Sequence, residues 1–313
     1  MSPTLLQLAG ALLLGALPHA MAQAGVDPAP LAVAEVAPGV YVHAGVIDDW
    51  LPGNGGDIAN LGFVVGSRCV AVIDTGGTPL LGVRWRAAIE RTTRLPICVV
   101  IDTHAHPDHV LGNAAFAAAD TRVVASAKFN AAMSAREPYF LRALARDFGI
   151  AVAHDAVVYP TVAVDGTREF DLGDRVLVAQ TWPTAHTDND LTVYDRQTRT
   201  LFASDLLFVQ HLPVVDGSLR GWLAAMQQLT KIDAALVVPG HGPTRPGGPD
   251  AWRPQQEYLE TLLRETRAAL KSHQTLSQAV DSVGIQAASR WQLAERFHRR
   301  NVTAAFAELE WED

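Results

Sequence analysis

The sequence predicts an α/β layered fold on three observations. Short β-branched runs recur from Val40 to Val238, helical patterns separate many of them, and beyond about Asp250 only helical patterns remain. The strand runs are Val40–His43, Ala59–Val65, Cys69–Asp74, Ile97–Asp102, Arg122–Ala125, Val176–Thr181, Leu191–Tyr194, Thr200–Ala203 and Ala235–Val238. Between them, Pro79–Thr93 places Leu80, Leu81, Val83, Trp85, Ala88 and Ile89 at helical spacing. Asn113–Ala119, Ala127–Phe148 and Ser218–Lys231 are further helix candidates. In the C-terminal part Tyr258, Leu259, Leu262, Leu263, Thr266, Ala269 and Leu270 form one apolar stripe. Thr275-Leu276-Ser277-Gln278 reads as a capping box, Gly284 can close that short helix, and a last helix is expected over Ala287–Glu310. The Pro- and Gly-rich stretch Thr244–Asp250 is the one plausible boundary, with helices 250–313 expected to pack on the core.

Composition narrows the function. Of 313 residues, 49% are hydrophobic and 19% charged, which excludes a disordered chain or a coiled coil. The net charge of −8, with no basic run, makes nucleic acid and anionic membrane surfaces poor partners; a small-molecule substrate is expected instead. Leu5–Leu17 is apolar but shorter than the roughly 20 residues a span requires, and small residues precede a cut after Ala22. Residues 1–22 therefore read as a cleaved secretory signal, with an uncleaved anchor as the alternative. No later run approaches the roughly 18 apolar residues of a membrane helix, so no membrane contact is expected after cleavage, and the location is periplasmic or secreted. Cys69 and Cys98 are too few for a disulfide scaffold; they form either one bridge between neighbouring strands or two buried thiols.

The chemistry starts at Thr103-His104-Ala105-His106-Pro107-Asp108-His109, directly after the apolar run Cys98–Asp102. Strand carboxyl ends are where α/β proteins place their sites. A His-x-His spacing lets two imidazoles converge on one ion, and the Asp108-His109 pair can face a second. His186, Asp205 and His241 each follow a β-rich run, so all can meet at one sheet rim.

His104-x-His106-x-Asp108-His109, followed by His186, Asp205 and His241, resembles the metallo-β-lactamase superfamily from about Val40 to Gly242. The resemblance implies an αββα sandwich over 23–249, with His104, His106 and His186 on a first metal, Asp108, His109 and His241 on a second, and Asp205 bridging. Gly56-Asp57-Ile58-Ala59-Asn60, the stretch Thr184–Asp190, Pro213–Ser218 and His298–Phe306 resemble more narrowly the quinoprotein relay system zinc metallohydrolases. Those proteins accompany periplasmic quinoprotein dehydrogenase systems, which makes such a system a possible partner.

Imidazole and carboxylate ligands suit two Zn²⁺ ions, with iron possible. The expected activity is hydrolysis of an ester, thioester, lactone or amide by hydroxide available at neutral pH. Asp108 can orient that nucleophile, and His211 is a candidate for proton transfer or substrate contact, or else a surface histidine. Asp74 and Asp102 can hold ligand imidazoles or serve as strand-end turn residues. Asp188, Asn189 and Asp190 can orient His186 or touch substrate, and Asp57 and Asn60 can line the mouth. Trp50 is either a substrate-contacting aromatic or a core residue. The competing readings are a mononuclear iron persulfide dioxygenase, a class B β-lactamase and a non-catalytic metal-binding accessory protein. Asp205 stands where class B enzymes usually carry Cys or Ser, which weakens the lactamase reading.

Overall fold

A computed structural model of the chain describes residues 29–118 and 120–312, so the expected signal over 1–22 lies outside the described residues. The first sheet has seven strands in chain order: β1 (Ala34–Ala37), β2 (Val40–His43), β3 (Leu61–Val65), β4 (Val70–Ile73), β5 (Ile97–Ile101), β6 (Arg122–Ser126) and β7 (Val162–Val164). The second has six: β8 (Thr167–Asp171), β9 (Val176–Thr181), β10 (Leu191–Asp195), β11 (Thr200–Phe208), β12 (Leu236–His241) and β13 (Arg245–Pro246). Their order is β13-β12-β11-β10-β9-β8. Pairing is antiparallel from β1 to β4 and parallel from β4 to β7; β11 and β12 are parallel within the otherwise antiparallel second sheet.

Two-residue periodicity explains why the central strands are apolar throughout. Ala71, Ile73, Val99, Ile101 and Val124 point between the sheets and meet Leu177, Ala179, Val193, Phe202 and Val238. Their alternates Val70, Val72, Val100 and Val123 point outward against Leu81, Trp85, Ala88 and Ile89 of α1 (Pro79–Thr92). A strand covered on both faces buries every side chain and loses the polar alternation of a half-exposed one. Gly62 marks the close approach of the sheets: a Cβ there would fall 2.2 Å from the Phe202 ring.

A short helix α2 (Pro107–Val110) and the long α3 (Phe129–Asp147) follow β5 and β6. The second sheet is covered by α4 (Leu219–Leu229), α5 (Arg253–Lys271), α6 (Leu276–Ser282), α7 (Ile285–Ala288) and α8 (Ala294–Leu309), through Trp222, Tyr258, Leu262 and Val302 among others. Helix starts follow local chemistry. Thr78, Ser218 and Thr275 accept the backbone N–H three residues on, and Gln278 completes the capping box with Thr275. The result is four layers, αββα, with helices extending the second outer layer.

Several elements differ from the sequence reading. β1, β7, β8 and β13 were not legible; they are short and mostly exposed, and in β8 only Phe170 is buried. Asn113–Phe116 is a 3₁₀ turn, not a helix to Ala119, and the expected Ala287–Glu310 helix is broken between α7 and α8. Cys69 and Cys98 form a disulfide between the starts of β4 and β5, with Cα atoms 5.8 Å apart. Among the described residues no helix is long and apolar enough to cross a membrane.

Candidate metal centre

Five histidines and two aspartates converge at the carboxyl ends of β5, β9 and β12 and at a kink within β11. Pro107 opens α2, where its fixed φ and missing N–H suit the first helical position. That turn carries Asp108 and His109, while His106 precedes it in extended conformation. Asp205 is not in a loop after Ala203, as its sequence suggested, but inside β11. Ser204 has φ 48°, and the pairing with β12 shifts register on both sides of it. This kink re-aims the strand and sends the Asp205 side chain inward. His241 is the last residue of β12, which runs three residues past Val238, where the sequence reading ended the strand. Gly240 beside it is required, because a Cβ there would lie 1.8 Å from Asp205 Oδ1.

The ligand-type atoms fall into two groups, each within 4.8 Å: His104, His106, His186 and Asp205, and then Asp108, His109 and His241. Asp205 stands between them. Its Oδ2 is 3.3 Å from His186 Nε2, 3.7 Å from His104 Nε2 and 3.4 Å from His241 Nε2; its Oδ1 is 3.1 Å from His109 Nε2. Asp108 Oδ2 is 3.5 Å from His109 Nε2 and 3.4 Å from His241 Nε2. His106 turns the other way and presents Nδ1, 3.1 Å from His186 Nε2.

The outer ring nitrogens are all engaged, which fixes each ring's orientation. His186 Nδ1 donates to the Val214 carbonyl (2.7 Å) and His241 Nδ1 to the Ile58 carbonyl (2.9 Å). His109 Nδ1 meets Asp74 Oδ2 at 2.8 Å. His104 Nδ1 lies 3.1 Å from Thr103 Oγ1, which itself donates to Asp74 Oδ2 at 2.8 Å. His106 Nε2 lies 3.0 Å from Asp216 Oδ2. A carbonyl or carboxylate accepts only, so the outer nitrogens of His109, His186 and His241 carry the proton and the inner ones are left for a ligand bond; His104 faces a hydroxyl that donates onward to Asp74, and His106 Nε2 also lies 3.2 Å from Arg136 Nη1. His104 Nε2, His109 Nε2 and Asp205 Oδ1 are buried without a hydrogen-bond partner in the protein. Buried polar atoms are normally paired, so three orphans among the two ligand groups fit a metal centre.

Charge is arranged accordingly. Burial pushes the Asp205 carboxyl up, but the His241, His109, His104 and His186 rings outweigh it and hold the group well below the usual carboxylate range. Burial also opposes ionisation of Asp108, and His109 and His241 overcome it, lowering it to about 2. Burial pushes His104 and His186 down, to about 4 for His186. For His109 and His241 burial is outweighed by the Asp205 and Asp108 charges, which hold both rings up, to about 9 for His241.

The other candidates divide. Asp74 reaches the ligands: besides His109 it accepts the Thr103 N–H at 2.8 Å. Asp102 does not; it accepts from Asn113 Nδ2 at 2.8 Å, and burial pushes its carboxyl well up. Asp57 pairs with His43 (2.8 Å) and does not line the mouth. Asn60 braces the His241 loop, donating to the Pro239 and Gly242 carbonyls at 2.8 and 2.7 Å. Asn189 accepts the Ala105 N–H at 2.9 Å, tying the His106 loop to the His186 loop. Asp190 accepts the Thr187 N–H at 2.9 Å and shapes the turn after His186, while Asp188 is exposed and bonds only its neighbour Asn189. His211 is no surface residue: it is 3% exposed and packed against Phe208, His241 and Phe297. Its Nδ1 donates to the Leu212 carbonyl, and burial lowers its pKa to about 4, so the ring is neutral near pH 7.

The centre opens into a cleft of about 560 Å³ whose walls include Trp50, Tyr139, Phe140, His211 and Phe297. Trp50 lines this cleft and also packs on Phe148 and donates to the Gly77 carbonyl at 3.1 Å. Arg136, Asp216 and Arg300 also line it, and the sequence reading proposed none of them as site residues. Asp216 lies in the quoted Pro213–Ser218 motif, but its role depends on α3 and α8 meeting there, which no local pattern reveals. A larger groove of about 810 Å³ near α5 and α7 contains none of the ligand residues.

Comparison with known proteins agrees with this architecture. A metallo-β-lactamase from Pontibacter korlensis superposes with a TM-score of 0.58 at 22% identity, over 74% of this chain and 99% of that one. The inverting sec-alkylsulfatase Pisa1 from Pseudomonas sp. superposes with a TM-score of 0.66 at 18% identity, over 90% of this chain and 50% of that one. A metallo-β-lactamase from Hirschia baltica gives 0.57 at 17% identity, over 74% and 97%. At these identities the likeness concerns the fold alone. No curated protein matches the sequence significantly. The family model of the metallo-β-lactamase superfamily matches residues 54–241, more than half of the chain and every one of the seven ligand-type residues. The chain therefore belongs to the metallo-β-lactamase superfamily.

Proposed function

We propose that this protein is a binuclear zinc hydrolase acting on a small ester, thioester, lactone or amide. The observation that carries the reading is Asp205, which stands between the two ligand groups: Oδ1 is turned toward His109, and Oδ2 faces His104 and His186 of the other group as well as His241. A second carboxylate, Asp108, belongs to the group around His109 and His241. A mononuclear two-His, one-Asp site would leave three of these buried imidazoles without a purpose.

When bound, such ions would act as Lewis acids and lower the pKa of water from 15.7 to about 7. The protein's own groups do the remaining work. Asp74, through His109 and Thr103, holds two imidazoles in the ligand tautomer. Asp108, at the cleft floor, has acceptor capacity to orient a nucleophilic water. His211 lines the cleft with Nδ1 bonded to the Leu212 carbonyl, so its Nε2, unprotonated near pH 7, can accept a hydrogen bond from substrate or water. Trp50, Tyr139, Phe140 and Phe297 offer apolar walls for a substrate body. Residues 23–249 form the catalytic domain in this reading, with 250–313 as its helical cover. The signal-like N-terminus and the Cys69–Cys98 bridge support a periplasmic or secreted location. The motifs resembling quinoprotein relay system hydrolases make a quinoprotein dehydrogenase system the proposed setting.

The test is a panel of chromogenic esters, thioesters, lactones and a cephalosporin on zinc-loaded protein. Turnover of a member of the first three classes, abolished by His106→Ala, is expected. No turnover on the panel, with oxygen consumption on a persulfide instead, would replace the hydrolase by an iron dioxygenase.

A further inference from the structure

We infer that helix α8, which lies outside residues 54–241 matched by the family model, is a working part of the metal centre. It acts through the segment 213–218, a strap that runs from the cleft into the start of α4. The inference rests on the metal site of the proposed function.

On one side the strap grips two ligands of one group. Val214 O accepts from His186 Nδ1 at 2.7 Å, Asp216 N donates to His186 O at 3.2 Å, and Ser218 N donates to Ala185 O at 2.8 Å. Asp216 Oδ2 receives His106 Nε2 at 3.0 Å. This last contact matters most. His106 offers Nδ1 to the site, whereas His104, His109, His186 and His241 all offer Nε2. Its outer nitrogen is therefore at the tip of the ring, away from its own backbone, and the acceptor comes from the strap.

On the other side α8 holds the strap at three points. Asn301, fully buried, accepts the Val215 N–H at 2.9 Å and donates to Pro213 O at 2.6 Å. Arg300 donates to Asp216 Oδ1 at 2.7 Å, while Arg136 of α3 and His106 occupy Oδ2. With both oxygens engaged, the carboxylate plane is fixed. Glu308 accepts the Ser218 hydroxyl at 2.7 Å and the Leu219 and Arg220 N–H groups at 2.7 and 3.2 Å, where the start of α4 favours negative charge. Asn301, Arg300 and Glu308 are thus positioning residues for His106 and His186. The outer nitrogens of the other group are held outside α8's hydrogen bonds, His109 by Asp74 and His241 by Ile58; α8 meets that group by packing, through Phe297 on His211 beside His241.

The asymmetry gives the test. Metal-stripped full-length protein is titrated with zinc against a chromophoric chelator, and each variant is also melted. Arg300 is half exposed, so Arg300→Ala should fold. Loss of an outer-shell partner typically costs about 10–100-fold in metal affinity. Arg300→Ala and Glu308→Gln are expected to weaken one of the two zinc sites about tenfold and leave the other within twofold. Arg300→Lys should recover part of the loss, and Arg299→Ala, whose exposed pair with Asp281 joins α8 to α6 away from the strap, should change nothing. Unchanged affinities in both variants, or both sites weakening in step with a lowered melting temperature, would overturn the inference while leaving the hydrolase reading in place. A wild type that binds no zinc would overturn the function itself, and this inference with it.

Discussion

Replacing Asn60 by Asp exchanges one amide nitrogen for an oxygen at a point where only a donor fits. Asn60 is 6% exposed; its Nδ2 donates to Pro239 O and Gly242 O at 2.8 and 2.7 Å, and its Oδ1 accepts the Gly45 N–H at 3.2 Å. These carbonyls bracket His241. Asn60→Ala removes three hydrogen bonds and leaves the Pro239 and Gly242 carbonyls buried without a partner, while the half-exposed Gly45 N–H can turn to water; at about 1 kcal/mol for each bond, the expected loss is about 2–3 kcal/mol. Asn60→Asp, although closer in shape, should cost at least as much. An ionised carboxylate sets an oxygen against two carbonyls, and a protonated one has a single proton for two acceptors. The His241 loop then loosens, and one zinc site should weaken about 10–100-fold. The assay is urea unfolding of metal-stripped protein together with zinc titration. An Asn60→Asp variant that keeps wild-type stability and wild-type affinity for two zinc ions would refute the brace.

Three further outcomes follow from the same structure. The Cys69–Cys98 bridge spans 29 residues, and in the chain-entropy model its removal by Cys69→Ala/Cys98→Ala costs about 3–4 kcal/mol; equal unfolding midpoints for the variant and the oxidised protein would contradict this. With His241 held at about 9 by the neighbouring carboxylates, metal must displace a proton at pH 7, so zinc affinity should fall with falling pH. Calorimetry in buffers of different ionisation enthalpy should show at least one proton released per chain, and zero release would contradict the charge arrangement. Far from the site, burial and the hydrogen bond to Glu137 raise Tyr159 to about 12, above its ordinary value. That contribution to stability is complete below about pH 10 and lost as pH rises toward 12. Tyr159→Phe should flatten that limb of the stability profile, and an unchanged limb would count against the contact.

The legibility of the fold followed burial. β4, β5 and β9 read within about a residue because their apolar runs are bounded by turns and packed on both faces or one. β1 and β8 escaped because exposed edge strands carry no pattern strong enough to separate them from loops: β8 is Thr-Arg-Glu-Phe-Asp with one buried residue. β11 was cut short at Ala203 because its continuation depends on the left-handed Ser204, a feature of pairing with β12 and not of local composition. At the site, ligand types at strand ends were visible as residues. Their partners were less so. Asp74 and Asp102 look alike in sequence, each closing an apolar run; only the register between strands sends one to His109 and the other to Asn113. Asp57 and Asn60 sit in one motif yet face different elements. Asp216 acquires its place from helices far away in the chain.

The account stands most directly on two adjacent metal positions sharing Asp205. Elemental mass spectrometry of mature protein, purified without chelator or a metal-binding tag, measures this. The account predicts close to two zinc ions per chain, falling to one or fewer in Asp205→Asn. About one iron per chain, or a metal content that Asp205→Asn leaves unchanged, would contradict it.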